Sequence, residues 1–337
     1  MSRVSKYIFS NFLSTFSSLF FTLFLIISII FFIQISRLTA YIEVSFFELS
    51  KLYLFMLPRI LLFCVPIAYF VALTMSLFRL SKENETTVLF TLGYSPKLLA
   101  RFFLLLSSAI SAVLLVVALV LIPTASELNT NFIDYKKNVA KLNLKPSEFG
   151  QKFSDWMVFI SSQSKDGNTD TYNDITMYNG ADLLIAAKKA RIINEGGTAL
   201  LQLENGELYR FSDEIITTNF KQLNIRSELG NTTLEGVNIT KYWAKVTTSQ
   251  KRRSDLSTYT LIALFPLAST LFGISLGVIT QRYERGMVYV GVFGVLFTYF
   301  ALIMSLGNRP QIAIPATFML FIIAGSVMFK KRILKRY

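Results

Sequence analysis

The sequence predicts a polytopic α-helical membrane protein, with six transmembrane helices in two sets of three and an all-β domain inserted between the sets. Three observations predict it. Hydrophobic residues make up 53% of the 337-residue chain and charged residues only 16%, where a soluble domain carries about 25%. Six stretches hold no Asp, Glu, Lys or Arg and are 19 to 30 residues long, and a helix needs about 20 apolar residues to cross the hydrocarbon. Finally, 33 of the 55 charged residues fall in the single block Glu127–Asp255. Transmembrane half 1 is therefore 1–126, the inserted domain 127–255 and transmembrane half 2 256–337.

The charge-free windows are Tyr7–Ser36, Ile60–Phe78, Phe102–Ser126, Leu256–Gln281, Gly286–Asn308 and Pro310–Phe329. They are continuous apolar runs, unlike the alternating segments of about 10 residues in an outer-membrane barrel. The first is about twice as long as a signal-peptide apolar core, and no A-x-A site follows it.

With alternating spans, the side holding both termini carries 13 Lys/Arg. The two short loops opposite hold four: Arg37, Lys51 and Arg59, then Arg309. The positive-inside rule places both termini in the cytoplasm and the inserted domain outside. That domain has 17 basic and 16 acidic residues, so the net charge of +13 is a topology signal. Nucleic acid is not an expected partner, because the large domain has no basic excess to meet it.

The inserted block reads as β. Trp156–Ser161 and Asp174–Tyr178 are short aromatic and β-branched runs. The runs 200–203 and 208–211 flank Asn205-Gly206, which predicts a hairpin because such a turn wants φ > 0. Further strands are expected over Glu214–Thr218 and Phe220–Ile225. Together they suggest an antiparallel sandwich or roll. Ala186–Ile193 is the stretch that can also be helical, giving a mixed α+β alternative. Asn231-Thr232-Thr233 and Asn238-Ile239-Thr240 match the glycosylation sequon, which we read as accidental.

Several chemistries are missing. The chain has no His and one Cys, Cys64, so no metal cluster, disulfide or cofactor is expected. No P-loop motif occurs, and no Asp or Glu lies inside a window to serve as an ion relay. Gly273-Ile274-Ser275-Leu276-Gly277 matches a nucleophile elbow in letters only, because it lies inside a span and lacks a His partner. Ser269, Gly273 and Gly277 are better read as one small-residue helix face that lets two backbones approach. No catalytic residue is expected, and any ATPase must come from another subunit.

The loop after span 2 is the richest short segment. A helix is expected over 81–93, capped by Ser81 and stopped by Gly93, with Ser95-Pro96 opening span 3. Val88, Leu89 and Leu92 share a face, with Glu85 one turn before Leu89. Such a helix can dock an apolar ridge into a partner's groove and fix it with a charge pair. It can equally lie among lipid headgroups.

Ser81–Ser95, "SKENETTVLFTLGYS", resembles the coupling-helix motif of the LptF/LptG family, the lipopolysaccharide-export permeases of an ABC transporter. Pro58 and Pro66 also fit the family pattern, as does Gln281–Gly286, with Gln for the usual Pro and no Arg after the Gly. The resemblance implies a multi-pass protein of the bacterial inner membrane with a periplasmic β-jellyroll. It implies a paralogous permease partner, an LptB-like cytoplasmic ATPase dimer and an LptC-like single-span bridge protein at a gate between spans 1 and 5. Lipopolysaccharide is the implied substrate. Glu85, Val88, Leu89, Leu92 and Gly93 then become the ATPase-coupling residues. Arg37, Lys51, Arg59 and Arg309 become candidates for its phosphates, although each also serves as an interfacial anchor by snorkelling. Arg37 is foremost, since it matches a basic position that family members carry at the end of span 1. Two other classes compete: a non-transporting scaffold whose β domain binds a periplasmic protein, and an FtsX/MacB-like mechanotransmitting permease, which normally has four spans.

Overall fold

The computed structural model describes residues 3–39, 45–142, 147–153, 156–166, 169–180, 183–195, 198–211, 215–227, 239–279 and 286–335. The chain divides into two compact units. One comprises residues 1–37, 45–128 and 238–337, and the other residues 38–44 and 129–237. The sequons at Asn231 and Asn238 lie outside the described residues.

Helices build the first unit: α1 (Arg3–Thr39), α2 (Phe46–Lys82), α3 (Glu85–Thr91), α4 (Pro96–Val116), α5 (Ile122–Leu142), α6 (Ile239–Ala244), α7 (Gln250–Gly277), α8 (Met287–Leu306) and α9 (Pro310–Phe329). A π-helical turn, Val117–Leu121, joins α4 to α5, and another, Lys330–Leu334, continues α9. Among the described residues six helices are long and apolar enough to span a membrane, matching the six windows: Val4–Arg37, Phe46–Lys82, Pro96–Ile133, Gln250–Gly277, Met287–Leu306 and Pro310–Leu334. In hydrocarbon the backbone must satisfy its own hydrogen bonds, so apolar runs of this length become helices whatever surrounds them.

Helices α1, α2, α4 and α7 begin before their windows. α2 starts at Phe46, so Lys51, expected in a loop, stands in its second turn, and Arg59, expected to open span 2, stands well inside it. A charge ends an apolar window without ending a helix, because long cationic side chains reach the interface from within one. Pro58 and Pro66 both sit inside this helix.

α2 and α7 form the centre. The small face of α7 meets α2 as predicted. A Cβ on Gly277 would lie 2.7 Å from the Thr74 carbonyl oxygen and 2.8 Å from Leu77 Cβ, and one on Gly273 would lie 3.1 Å from Leu73 Cδ2. Around this contact Phe70, Phe265, Tyr299 and Phe321 build one apolar cluster. Ile8, Phe12, Tyr69, Leu73 and Phe103 build a second. The buried phenols keep partners. Tyr299 donates to the Leu261 carbonyl at 2.6 Å and Tyr69 to the Phe103 carbonyl at 3.2 Å.

Beyond the end of α5, the described residues of the second unit are β, and one strand runs through Ala186–Ile193, which removes the helical alternative there. The strands are β1 (Ser147–Phe153), β2 (Trp156–Asp166), β3 (Thr169–Asn179), β4 (Leu183–Glu195), β5 (Thr198–Phe211) and β6 (Ile215–Ser227). They form one antiparallel sheet in the order β1-β2-β3-β4-β5-β6, a meander, and no second sheet that would make a sandwich occurs among the described residues. Val158, Ile160, Met177, Ile185, Leu201 and Leu203 lie in its apolar core.

Asn205-Gly206 makes no hairpin. β5 runs straight through it, pairing Lys189 with Glu204 and Ala187 with Gly206. Asn205 does take positive φ, 51°, and so does Asp174. The four ladders from β2 to β6 each skip one pair at the same level, the row Ser161, Asp174, Lys188, Asn205, Lys221, with no change of register. Apolar core positions jump by three across that row, from Tyr172 to Ile175, Ala187 to Ala190 and Phe220 to Leu223. The row is a crease: each strand takes one extra residue there and flips its alternation, while the same sheet face stays apolar. Gly206 is required by the close approach, because a Cβ there would lie 2.3 Å from the Ala186 carbonyl oxygen and 2.6 Å from Phe220 Cζ.

Candidate functional site

The expected coupling helix over 81–93 is shorter than predicted. α2 continues through Ser81 and Lys82. The chain then turns at Glu83 and Asn84, with Asn84 at φ 61°, and α3 covers only Glu85–Thr91. Asn tolerates this left-handed conformation better than most residues. The C-terminal end is as predicted. Gly93 has φ 90°, its N–H donates to the Phe90 carbonyl at 3.1 Å, and the Tyr94 N–H reaches the Leu89 carbonyl at 3.0 Å. That pair of bonds is a Schellman stop. Ser95 caps α4 by accepting from the Lys97 N–H at 3.3 Å, with Pro96 at the first helical position.

Ser81 is therefore no cap. It is buried, and its hydroxyl accepts from the Thr86 hydroxyl at 3.0 Å and from the Ile279 N–H at 3.3 Å. One side chain ties the end of α2 to α3 and to the residues following α7. Ile279 is 198 positions away, so nothing local in the sequence reveals this role.

Glu85 opens α3 and is half-buried. The Tyr7 hydroxyl of α1 donates to its carboxylate at 2.8 Å. Two more links join the same end of α1 to this region: Ser5 to the Tyr94 hydroxyl at 3.2 Å, and Arg79 of α2 to Asn11. Phe12 packs edge-on against Phe103, with centroids 5.5 Å apart. The predicted ridge divides. Val88 is 53% exposed and Leu92 79%, whereas Leu89 turns inward with Phe90 and Tyr94. The surface of α3 therefore presents Val88 and Leu92, four residues apart, beside a half-buried carboxylate.

The four predicted substrate cations are spread over α1, α2 and α9. Arg37 ends α1 and is exposed, and Lys51 is exposed on α2. Arg309 is exposed and caps α9 through its backbone, its carbonyl accepting from the Ala313 N–H at 2.8 Å. Arg59 is half-buried and donates to the Tyr259 hydroxyl of α7 at 3.0 Å. Nearby, Arg252 lies over the Tyr242 ring at 3.7 Å. Burial pushes the Tyr242 phenol above its ordinary value, and Arg252 works against that shift.

The spans differ in how much of them the chain itself covers. The most apolar window of α1 has none of its residues buried, and that of α8 has 22%, against 72% for α7. Phe21 and Leu25 on α1 and Val290, Phe293 and Met304 on α8 are all more than half exposed.

Six spanning helices in two sets of three, an inserted antiparallel sheet and a short surface helix between spans 2 and 3 define a polytopic α-helical membrane protein; no group of His, Cys, Asp or Glu that could hold a metal occurs among the described residues. Residues 6–331 match the family model described as lipopolysaccharide export system permease LptF/LptG, and the chain belongs to that family. No curated protein matches the chain. The Gln281–Arg285 part of the sequence resemblance lies outside the described residues.

Proposed function

We propose that this chain is the membrane permease of an ABC exporter that takes lipopolysaccharide from the inner membrane and passes it to a periplasmic bridge, with ATP hydrolysed by a separate cytoplasmic dimer. The family match over residues 6–331 is the observation that carries this reading. Supporting it, α3 presents an apolar pair and a carboxylate beside the N-terminal turns of α1, which reach Glu85 through Tyr7 and Tyr94 through Ser5. Both termini and α3 are cytoplasmic in this reading and the β sheet periplasmic, on the 13-to-4 split of Lys/Arg. The bare faces of α1 and α8 suit a paralogous permease and a single-span bridge helix. Arg37, Lys51, Arg59 and Arg309 are the cations proposed for the lipid phosphates.

The test is copurification and topology together. The full chain is expected to retain an ATPase that lipopolysaccharide release requires, and a reporter at Ser164 is expected to be active in the periplasm. A periplasmic C-terminus sinks the six-span orientation. A chain that retains no ATPase is instead a scaffold.

A further inference from the structure

A cleft of about 540 Å³ opens between α4, α7 and α9. Three cations stand at its mouth: Lys97 and Arg101, one turn apart on α4, and Lys330, which begins the π-helical turn after α9. All three are exposed, and no Asp or Glu lines the cleft among the described residues. Below them the walls are apolar: Leu104 and Leu105 of α4, and Phe329 of α9. Leu105 is 65% exposed, and Ile323 and Val327 continue an exposed apolar face along α9, so the trough opens sideways towards hydrocarbon.

We propose that this cleft binds one anionic phospholipid, its phosphodiester held by Lys97, Arg101 and Lys330 and one acyl chain laid in the trough between α4 and α9. Charge decides the occupant. Three cations with no carboxylate among the described lining residues attract an anion, and Arg101 can give a phosphate two parallel N–H bonds. The apolar trough continuing into the bilayer suits an acyl chain and no soluble anion. Basic pockets between spans at the membrane surface recognise anionic headgroups in this way. The π-helical turn helps build the site, because both its end residues, Lys330 and Leu334, line the cleft. In the proposed orientation the ligand is a lipid of the cytoplasmic leaflet. It is distinct from the exported substrate, whose proposed phosphate partners lie at the opposite ends of the spans.

The test uses the full chain in phosphatidylcholine nanodiscs, with phosphatidylglycerol as the probe, read by native mass spectrometry and by titration. Arg101→Gln is expected to weaken phosphatidylglycerol binding about fivefold, the usual contribution of one surface cation, and Lys97→Gln/Arg101→Gln/Lys330→Gln to abolish its retention. Lys6→Gln/Lys331→Gln removes two cations outside the cleft and is expected to leave retention unchanged. Ser326→Trp, which fills the trough and keeps every charge, is expected to lose the lipid as well. Full retention by the triple variant, or equal loss in the Lys6/Lys331 control, would overturn the site. A triple variant that sheds a bound ATPase while keeping its lipid would assign the cleft to a protein and overturn it too. Lipopolysaccharide release by the wild-type chain is measured in parallel, so failure of the export reading shows separately.

Discussion

The Tyr7 hydroxyl donates to the Glu85 carboxylate at 2.8 Å, joining the first turns of span 1 to the first residue of α3. A carboxylate proposed to meet a partner subunit thus also holds the first spanning helix. If α3 docks an ATPase, its movement is carried directly to span 1.

Glu85→Ala is expected to cut ATPase retention and stimulation. Leaving one half of a desolvated charge pair alone costs about 2–5 kcal/mol. Glu83→Ala is expected to do little, because Glu83 lies exposed in the turn before α3. Tyr7→Phe separates the two roles of Glu85: it is expected to keep the ATPase bound while lowering lipopolysaccharide released per ATP. Equal, mild effects of Glu85→Ala and Glu83→Ala would mean that α3 lies among headgroups.

Arg37→Glu is expected to weaken photocrosslinking of lipopolysaccharide from span 1 without disturbing assembly, because Arg37 is exposed and a lipid phosphate would then face a carboxylate. Arg59→Gln is expected to cost stability as well, since it removes the bond to Tyr259. Undiminished crosslinking in Arg37→Glu reduces that residue to an interfacial anchor.

Gly277→Ala is expected to destabilise the helical unit by about 1–3 kcal/mol, the usual range for overpacking. Its new methyl would meet the backbone of α2 at Thr74. Gly294→Ala, whose Cβ has nothing within 4 Å, is expected to be neutral or slightly stabilising. Thermal unfolding of the two variants in one detergent decides, and equal melting temperatures would contradict the close α2–α7 contact.

Gly206→Ala is expected to disrupt the sheet at its crease, where the Ala186 carbonyl and the Phe220 ring leave no room for a methyl. Gly180→Ala, with open space around it, serves as the control. Hydrogen exchange across β4–β6 in the full chain reads the difference. Unchanged protection in Gly206→Ala would mean that the strands can move apart there.

The sequence by itself determined the six spans and the Gly93 and Ser95-Pro96 helix ends, and it left the insertion β with one stretch open to a helix. Each of these is set locally. Hydrocarbon forces an apolar run to close its own hydrogen bonds, and caps act within one turn. The small face of α7 was legible for a related reason, since Ser269, Gly273 and Gly277 recur at helical spacing. Tertiary structure decided what depends on distant partners. Ser81 has the chemistry of a cap, but its hydroxyl is claimed by Thr86 and by the Ile279 N–H. Asn205-Gly206 has the chemistry of a turn, but pairing on both sides, with β4 and β6, holds it within one strand and turns its left-handed preference into a crease. Arg59 reads as a free cation until folding sets Tyr259 beside it, and Tyr7 gives no sign of Glu85, 78 residues away. A residue's local preference fixes which bonds it can make, and only the packed chain fixes which groups arrive to make them.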